Sequence, residues 1–302
     1  MIEVRGLSKR FGRVTAVDDL TFDVRPGAVT GFLGPNGAGK TTTMRMILGL
    51  DAPSGGHTRV LGARYADLPA PMRAVGALLD AGAVHPRRTA RDHLTCLALS
   101  NRISRTRVEE VLQLTGLASV ARRAAGGFSL GMSQRLGIAA ALLGDPAVLV
   151  FDEPVNGLDP EGIVWIRTLM RDLAAEGRTV LVSSHLMAEM ALTADHLVVV
   201  GRGRLIADIA ADTFVKSGEV RVRTPGAEEF ARTLSASGAD VRREASDGLV
   251  VSGMAAEEIG RVAAAAGVVL YELTPLRTSL EEAFMELTRD SVEYGVADGA
   301  AR

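Results

Sequence analysis

The stretch Gly34-Pro35-Asn36-Gly37-Ala38-Gly39-Lys40-Thr41-Thr42 restricts what this chain can fold into more than any other. Its spacing is G-x-x-x-x-G-K-[ST], and its flanks are those the pattern requires. The apolar run at 28–33 reads as a buried strand, and residues 42–50 read as a helix closed by Gly49. Glycines, lacking a Cβ, let the backbone close around phosphate oxygens. Loop N–H groups and the helix N-terminus then offer partial positive charge to a polyanion. Lys40 is placed to reach the β- and γ-phosphates, and the Thr41 hydroxyl to sit on Mg²⁺. The competing reading, a Gly-rich turn with a surface lysine, fits poorly. Lysine occurs only three times in the chain (Lys9, Lys40, Lys216), and one of them falls on this spot. Residues 34–42 are therefore read as a nucleoside triphosphate site.

Composition narrows the rest. The 302 residues suffice for one large domain plus a small one. An apolar share of 47% with 23% charged is ordinary for a globular protein with a substantial core. A net charge of −2 argues against a nucleic-acid partner, which usually meets a basic excess. One cysteine, Cys96, excludes a disulfide framework and fits a reducing cytoplasm. Residues 1–5 lack the apolar core of a signal peptide. The longest apolar run, 136–151, is cut by Asp145 and Pro146, so any membrane role is expected to come through a partner.

Residues 2–25 alternate polar and apolar, as antiparallel strands do, with Phe11 in the turn between them. Short strands are expected at 59–61 and 75–79. Residues 90–143 instead carry helical patterns near 90–100, 105–115 and 132–143, which read as a helical insertion at about 85–143 within an α/β core. Its arginines (87, 88, 91, 102, 105, 107, 122 and 123) read as a solvated face. The core resumes with the apolar run 147–151, followed by Asp152-Glu153-Pro154. Asp159 caps a helix that has Pro160 at its first position and ends at Gly177. A second buried strand, 179–182, leads to Ser183-Ser184-His185, and residues 196–209 form a hairpin turned at 201–203.

Alternating strands and helices around a phosphate loop indicate a doubly wound, mostly parallel sheet in a domain covering 1–212. A boundary is expected near 213–218. The expected order beyond it is strand (220–222), helix (226–236), strand pair (240–252), helix (255–266), strand (268–273) and a last helix (279–289). This 218–302 module is a small α+β domain without a Gly-rich loop or a metal or nucleophile cluster, and a packing or regulatory role is expected of it.

Ligands of doubly wound folds bind at the carboxyl ends of strands. Asp152 is thus expected to hold the Mg²⁺ that Thr41 touches, and Glu153 to act as general base on an attacking water. His185 also follows a buried strand and is expected to hydrogen-bond the terminal phosphate. His57, His85, His93 and His196 have no such context and read as surface or structural.

These motifs, in their order, resemble the ATP-binding subunit of an ABC transporter. Phe128-Ser129-Leu130-Gly131-Met132 stands where that family has LSGGQ, with Gln134-Arg135 just after it. Gly157-Leu158-Asp159 matches its D-loop and His185 its switch histidine, and the resemblance covers residues 2 to about 210. It implies a P-loop NTPase core with an antiparallel N-terminal β subdomain. It also implies ATP and Mg²⁺ as ligands, catalysis by Lys40, Glu153 and His185, and Phe11 stacking on adenine. ATP would be sandwiched between two such subunits, so that Ser129 and Gly131 face the nucleotide on the partner's Lys40, and Asp159 of the D-loop would also bind the nucleotide. Such a homodimer would sit on the cytoplasmic face of the membrane against a separate permease.

There are departures from the family pattern. Leu130 and Met132 replace a glycine and the glutamine of the signature, and Asp80 stands where a glutamine usually ends the strand. An ionised carboxylate only accepts hydrogen bonds, so Asp80 could touch Mg²⁺ or the lytic water but not donate. These features, with the trailing α+β domain, resemble a subgroup that serves bacterial antibiotic and drug exporters. The competing class is a soluble ABC-type ATPase acting on ribosomes or DNA. Such proteins usually carry two phosphate loops or basic arms, and this chain has neither.

Overall fold

The computed structural model describes residues 1–211 and 219–276, which divide into two compact units at that break. In the first unit, β1 (Ile2–Phe11), β2 (Val14–Val24) and β4 (Gly55–Val60) form an antiparallel sheet in the order β2-β1-β4. Alternation buries Ile2, Val4 and Leu7 from β1 and Leu20, Phe22 and Val24 from β2, while intervening residues stay wetter. A second, six-stranded sheet contains β3 (Ala28–Leu33), β5 (Val75–Leu78), β6 (Val148–Asp152), β7 (Thr179–Ser184), β8 (His196–Gly201) and β9 (Arg204–Ala210). Its order is β5-β6-β7-β3-β8-β9, parallel except for the β8–β9 hairpin. Val148–Phe151 and Val180–Val182 are buried on both faces, which is why those stretches are continuously apolar. The rings of Phe22 and Phe32 stack with centroids 5.3 Å apart, joining the two sheets in one core.

The helices of this unit are α1 (Lys40–Ile47), α2 (Pro71–Ala74), α3 (Ala90–Ser100), α4 (Arg105–Leu114), α5 (Leu130–Leu142), α6 (Pro160–Ala175) and α7 (Met187–Thr193). Four N-termini are set by side-chain caps. Thr89, Ser104, Ser129 and Asp159 accept from the backbone N–H of residues 92, 107, 132 and 162 respectively. Helices α3, α4 and α5 pack on one another as the expected insertion, and α5 lies along β5. Arginines 87, 88, 122 and 123 of the insertion are exposed, whereas Arg91 pairs with Glu109 and Arg107 with Glu110 and Asp145. Helix α1 starts at Lys40, two residues earlier than the pattern suggested. The seven-residue α7 was not foreseen, being too short for its periodicity to stand out.

The second unit runs β10 (Glu219–Arg223), α8 (Ala227–Ala236), β11 (Asp240–Arg243), β12 (Gly248–Ser252), α9 (Ala256–Ala265) and β13 (Glu272–Leu276). The strands form an antiparallel sheet ordered β11-β12-β10-β13, the split β-α-β arrangement. Phe230, Leu234, Ile259 and Ala263 from the helices cover Val220, Val222, Leu249 and Val251 of the sheet. The strand expected at 268–273 is displaced to Glu272–Leu276. After α9, Val268 N–H bonds back to the Ala263 carbonyl and Tyr271 N–H to Arg223, so ladder pairing begins only at Glu272. Val269 and Tyr271, apolar residues that invited the earlier placement, are exposed. The segments 213–218 and 279–289, read above as boundary and last helix, lie outside the described residues. Among the described residues no helix is long and apolar enough to cross a membrane.

Candidate nucleotide site

The loop after β3 turns back on itself, with the Ala38 N–H on the Pro35 carbonyl, and enters α1 at Lys40. Gly39 sits at φ 96°, and a Cβ there would lie 2.5 Å from the carbonyl oxygen of Ala16, so this position admits only glycine. The loop is held from outside by β2 and by the Gly203 N–H on the Ala38 carbonyl. Between this loop and the end of β6 opens a cleft of about 230 Å³. It is lined by Ala16, Pro35, Asn36, Gly37, Ala38, Gly39, Lys40, Thr41 and Thr42, together with Asp152 and Glu153.

Lys40 is buried to 7% exposure, and its Nζ donates to the carbonyls of Gly34 (2.6 Å) and Pro35 (3.2 Å). Nζ also lies 4.0 Å from Glu153 Oε1. Burial pulls the Lys40 ammonium below its ordinary value, opposed by the charges of Glu153 and Asp152. A buried cation facing backbone oxygens and two carboxylates is a ready receptor for a polyphosphate. Thr41 Oγ1 donates to Asp152 Oδ2 at 2.6 Å, which brings a hydroxyl and a carboxylate oxygen together beside the phosphate loop. This hard-oxygen pair fits the donor chemistry of a divalent cation such as Mg²⁺.

Glu153 has a left-handed backbone, φ 50°, unusual for a residue with a side chain. Its Oε2 lies 2.7 Å from His185 Nδ1, so the ends of β6 and β7 bring the two sequence-predicted groups into contact. The other histidines are elsewhere. His196 pairs with Asp208, His85 Nδ1 accepts from the Arg87 N–H, and His57 lies on β4. Burial, then the charge of Arg88, lowers His93 from its ordinary value.

Several candidates lie outside the cleft. Ser129 is exposed at the N-cap of α5, with Gly131 in its first turn, and the Leu130 side chain packs over Gly157. Asp159 is occupied as the cap of α6, accepting from Gly162 N–H at 2.9 Å. Phe11 is 51% exposed at the hairpin end, with Lys9 Nζ 5.0 Å over its ring. Asp80 Oδ1 accepts from the Gly82 N–H at 2.7 Å, and Asp80 is not among the residues that line the cleft.

The sequence matches the family described as ABC transporter over residues 17–156. The bacitracin transport ATP-binding protein BcrA of Bacillus licheniformis is 39% identical over 219 residues, which is 72% of this chain and 72% of that relative. The chain belongs to the ABC transporter ATP-binding family. As a member it is an ATP-binding, ATP-hydrolysing transporter subunit. The uncharacterized ABC transporter ATP-binding protein YdbJ of Bacillus subtilis is 32% identical over 301 residues, 98% of this chain and 97% of its own, so its match runs through the second unit. That unit also matches a domain of unknown function, over residues 218–281. A solved ATP-binding subunit of an ABC transporter superposes with a TM-score of 0.66 at 30% identity, covering 71% of this chain and 91% of that one.

Three residues of this ABC subunit's site carried no role in the sequence. Ala16 lines the cleft from β2, its carbonyl facing Gly39 of the loop. Ser183, fully buried in β7, donates to Asp152 Oδ1 and accepts the Glu153 N–H at 2.9 Å. Gln134, on α5, donates from Nε2 to the Glu153 carbonyl at 2.9 Å. Ser183 lies two residues before a motif histidine and Gln134 two after the signature, which was the only available cue.

Proposed function

We propose that this ABC subunit hydrolyses ATP in a site shared between two copies of the chain and drives export through a separate membrane permease. The observation that carries the reading is a half-built site. Lys40, Thr41, Asp152 and Glu153 line one cleft and His185 touches Glu153, while Ser129, a capped helix N-terminus suited to an anion, is exposed and outside it. The second copy's Ser129 and Gly131 then complete the first copy's site.

Lys40 and the loop N–H groups hold the β- and γ-phosphates, and Phe11 stacks on the adenine. Thr41 and Asp152 would hold Mg²⁺, which when bound neutralises charge on the β- and γ-oxygens. Glu153 takes a proton from water as the water oxygen bonds to the γ-phosphorus. The bond from that phosphorus to the bridging oxygen breaks, leaving ADP and phosphate. His185, at 2.7 Å, fixes the carboxylate and reaches the γ-phosphate.

Likeness to a bacitracin transport protein supports cargo of the antibiotic-export kind, and the permease, which the chain does not contain, selects it. The subunit then works at the cytoplasmic face of the membrane. Ser129→Arg tests the shared site, because it places a bulky cation at the expected interface and leaves the chain's own cleft untouched. ATP binding by the single chain is expected to persist while hydrolysis is lost. Hydrolysis at the wild-type rate would overturn the shared site.

A further inference from the structure

The left-handed backbone of Glu153 is held from two sides. Residues in sparsely populated backbone regions persist only where their surroundings over-determine them. The Glu153 N–H is fixed by Ser183 Oγ at 2.9 Å. Its carbonyl accepts from the Asn156 N–H at 3.2 Å and from Gln134 Nε2 at 2.9 Å. Asn156 belongs to the same turn and moves with it, whereas Gln134 comes from another element, α5. Since a carbonyl only accepts, the atom facing it must be the amide NH₂ of Gln134. Gln134 is 5% exposed, and a buried amide of this kind is kept for its hydrogen bonds rather than for packing.

We propose that Gln134 is a positioning residue for Glu153, fixing the backbone from which the carboxylate projects toward the attacking water. The inference rests on the reading of Glu153 as general base. Among the described residues, His185 and at longer range Lys40 meet the carboxylate at its tip, and its root is set by the backbone of this one residue. With the carbonyl released, the residue can relax from the left-handed region and swing the carboxylate off line. A misplacement of about 1 Å costs on the order of 10²-fold in rate. Among the described residues, the hydrogen bond of the Gln134 side chain goes to Glu153 and not to Lys40 or the loop, so nucleotide affinity should not depend on it.

The test is a double-mutant cycle on the full chain, reading ATP turnover and binding of a fluorescent ATP analogue. Gln134→Met keeps the volume and removes the donor. It is expected to lower kcat about tenfold or more, with KM and analogue affinity within about twofold of wild type. In a Glu153→Gln background the same change is expected to alter residual turnover by less than about twofold, because the group it positions is already disabled. Gln134→Leu, which also lacks a donor, repeats the cycle should the methionine variant fold poorly by thermal melting. A kcat within about twofold of wild type in a folded variant overturns the proposal. So does an equal fractional loss in both backgrounds, which would mean that Gln134 acts elsewhere. Full turnover in Glu153→Gln alone would instead overturn the general base, a result separable from either of these.

Discussion

Glu153→Gln is expected to lower ATP turnover about 10²-fold or more while leaving ATP bound, because a general base contributes only in the hydrolytic transition state. Glutamine is nearly isosteric and can still reach His185 Nδ1, which lies 2.7 Å from Oε2, but it cannot accept the water's proton. The change also removes a negative charge from a cleft that must take a triphosphate, which lessens repulsion in the bound state. Both effects favour a persistent complex in which two chains enclose ATP. Size-exclusion chromatography is expected to show dimers with ATP and none with ADP. Turnover within about threefold of wild type would place the base elsewhere. Asp80 does not line the cleft, which leaves His185, in contact with Glu153, to be examined next.

Lys40→Ala is expected to remove nucleotide binding at an earlier step. The Lys40 ammonium is 7% exposed and satisfied by the Gly34 and Pro35 carbonyls, so it offers the β- and γ-phosphates a cation already stripped of water. Hydrogen bonds to charged groups are worth about 1.5–3 kcal/mol each, and losing two of them weakens ATP binding about 10²-fold or more. Titration with a fluorescent ATP analogue measures this directly, and unchanged affinity would remove the loop from the site. In the Glu153→Gln background, Lys40→Ala should also abolish the ATP-dependent dimers, since no nucleotide is held to bridge them.

The phosphate loop, the carboxylate pair and His185 were legible because each is a chemistry-bearing residue next to a strongly apolar strand. A run such as Val148–Phe151 announces both the central strand and the place where its end must emerge. What escaped was the support around them. Ser183 and Gln134 act through backbone atoms of Glu153, contacts that depend on strand order and on how α5 lies against the sheet. No local periodicity encodes either. In the second unit the apolar residues 268–271 pointed to a strand, but pairing with β10 decided where it starts. Asp80 was a reading by position in a motif, and its carboxylate accepts from its own turn, apart from the residues that line the cleft.

The contact between α5 and β5 has a mechanical consequence. A Cβ at Gly76 would lie 2.0 Å from the Ala141 carbonyl oxygen, so at this point strand and helix touch backbone to backbone. Interfaces packed this tightly do not deform gradually. From there β5 runs back along α5, with Gly137 against Leu78 and Ala81, so the turn that follows β5 lies on the Ser129 side of one stiff piece, where Ala81 and Gly82 share a pocket with Phe128 and Ser133. Gln134, little more than one turn in from Ser129, ties the backbone of Glu153 to that same stiff piece.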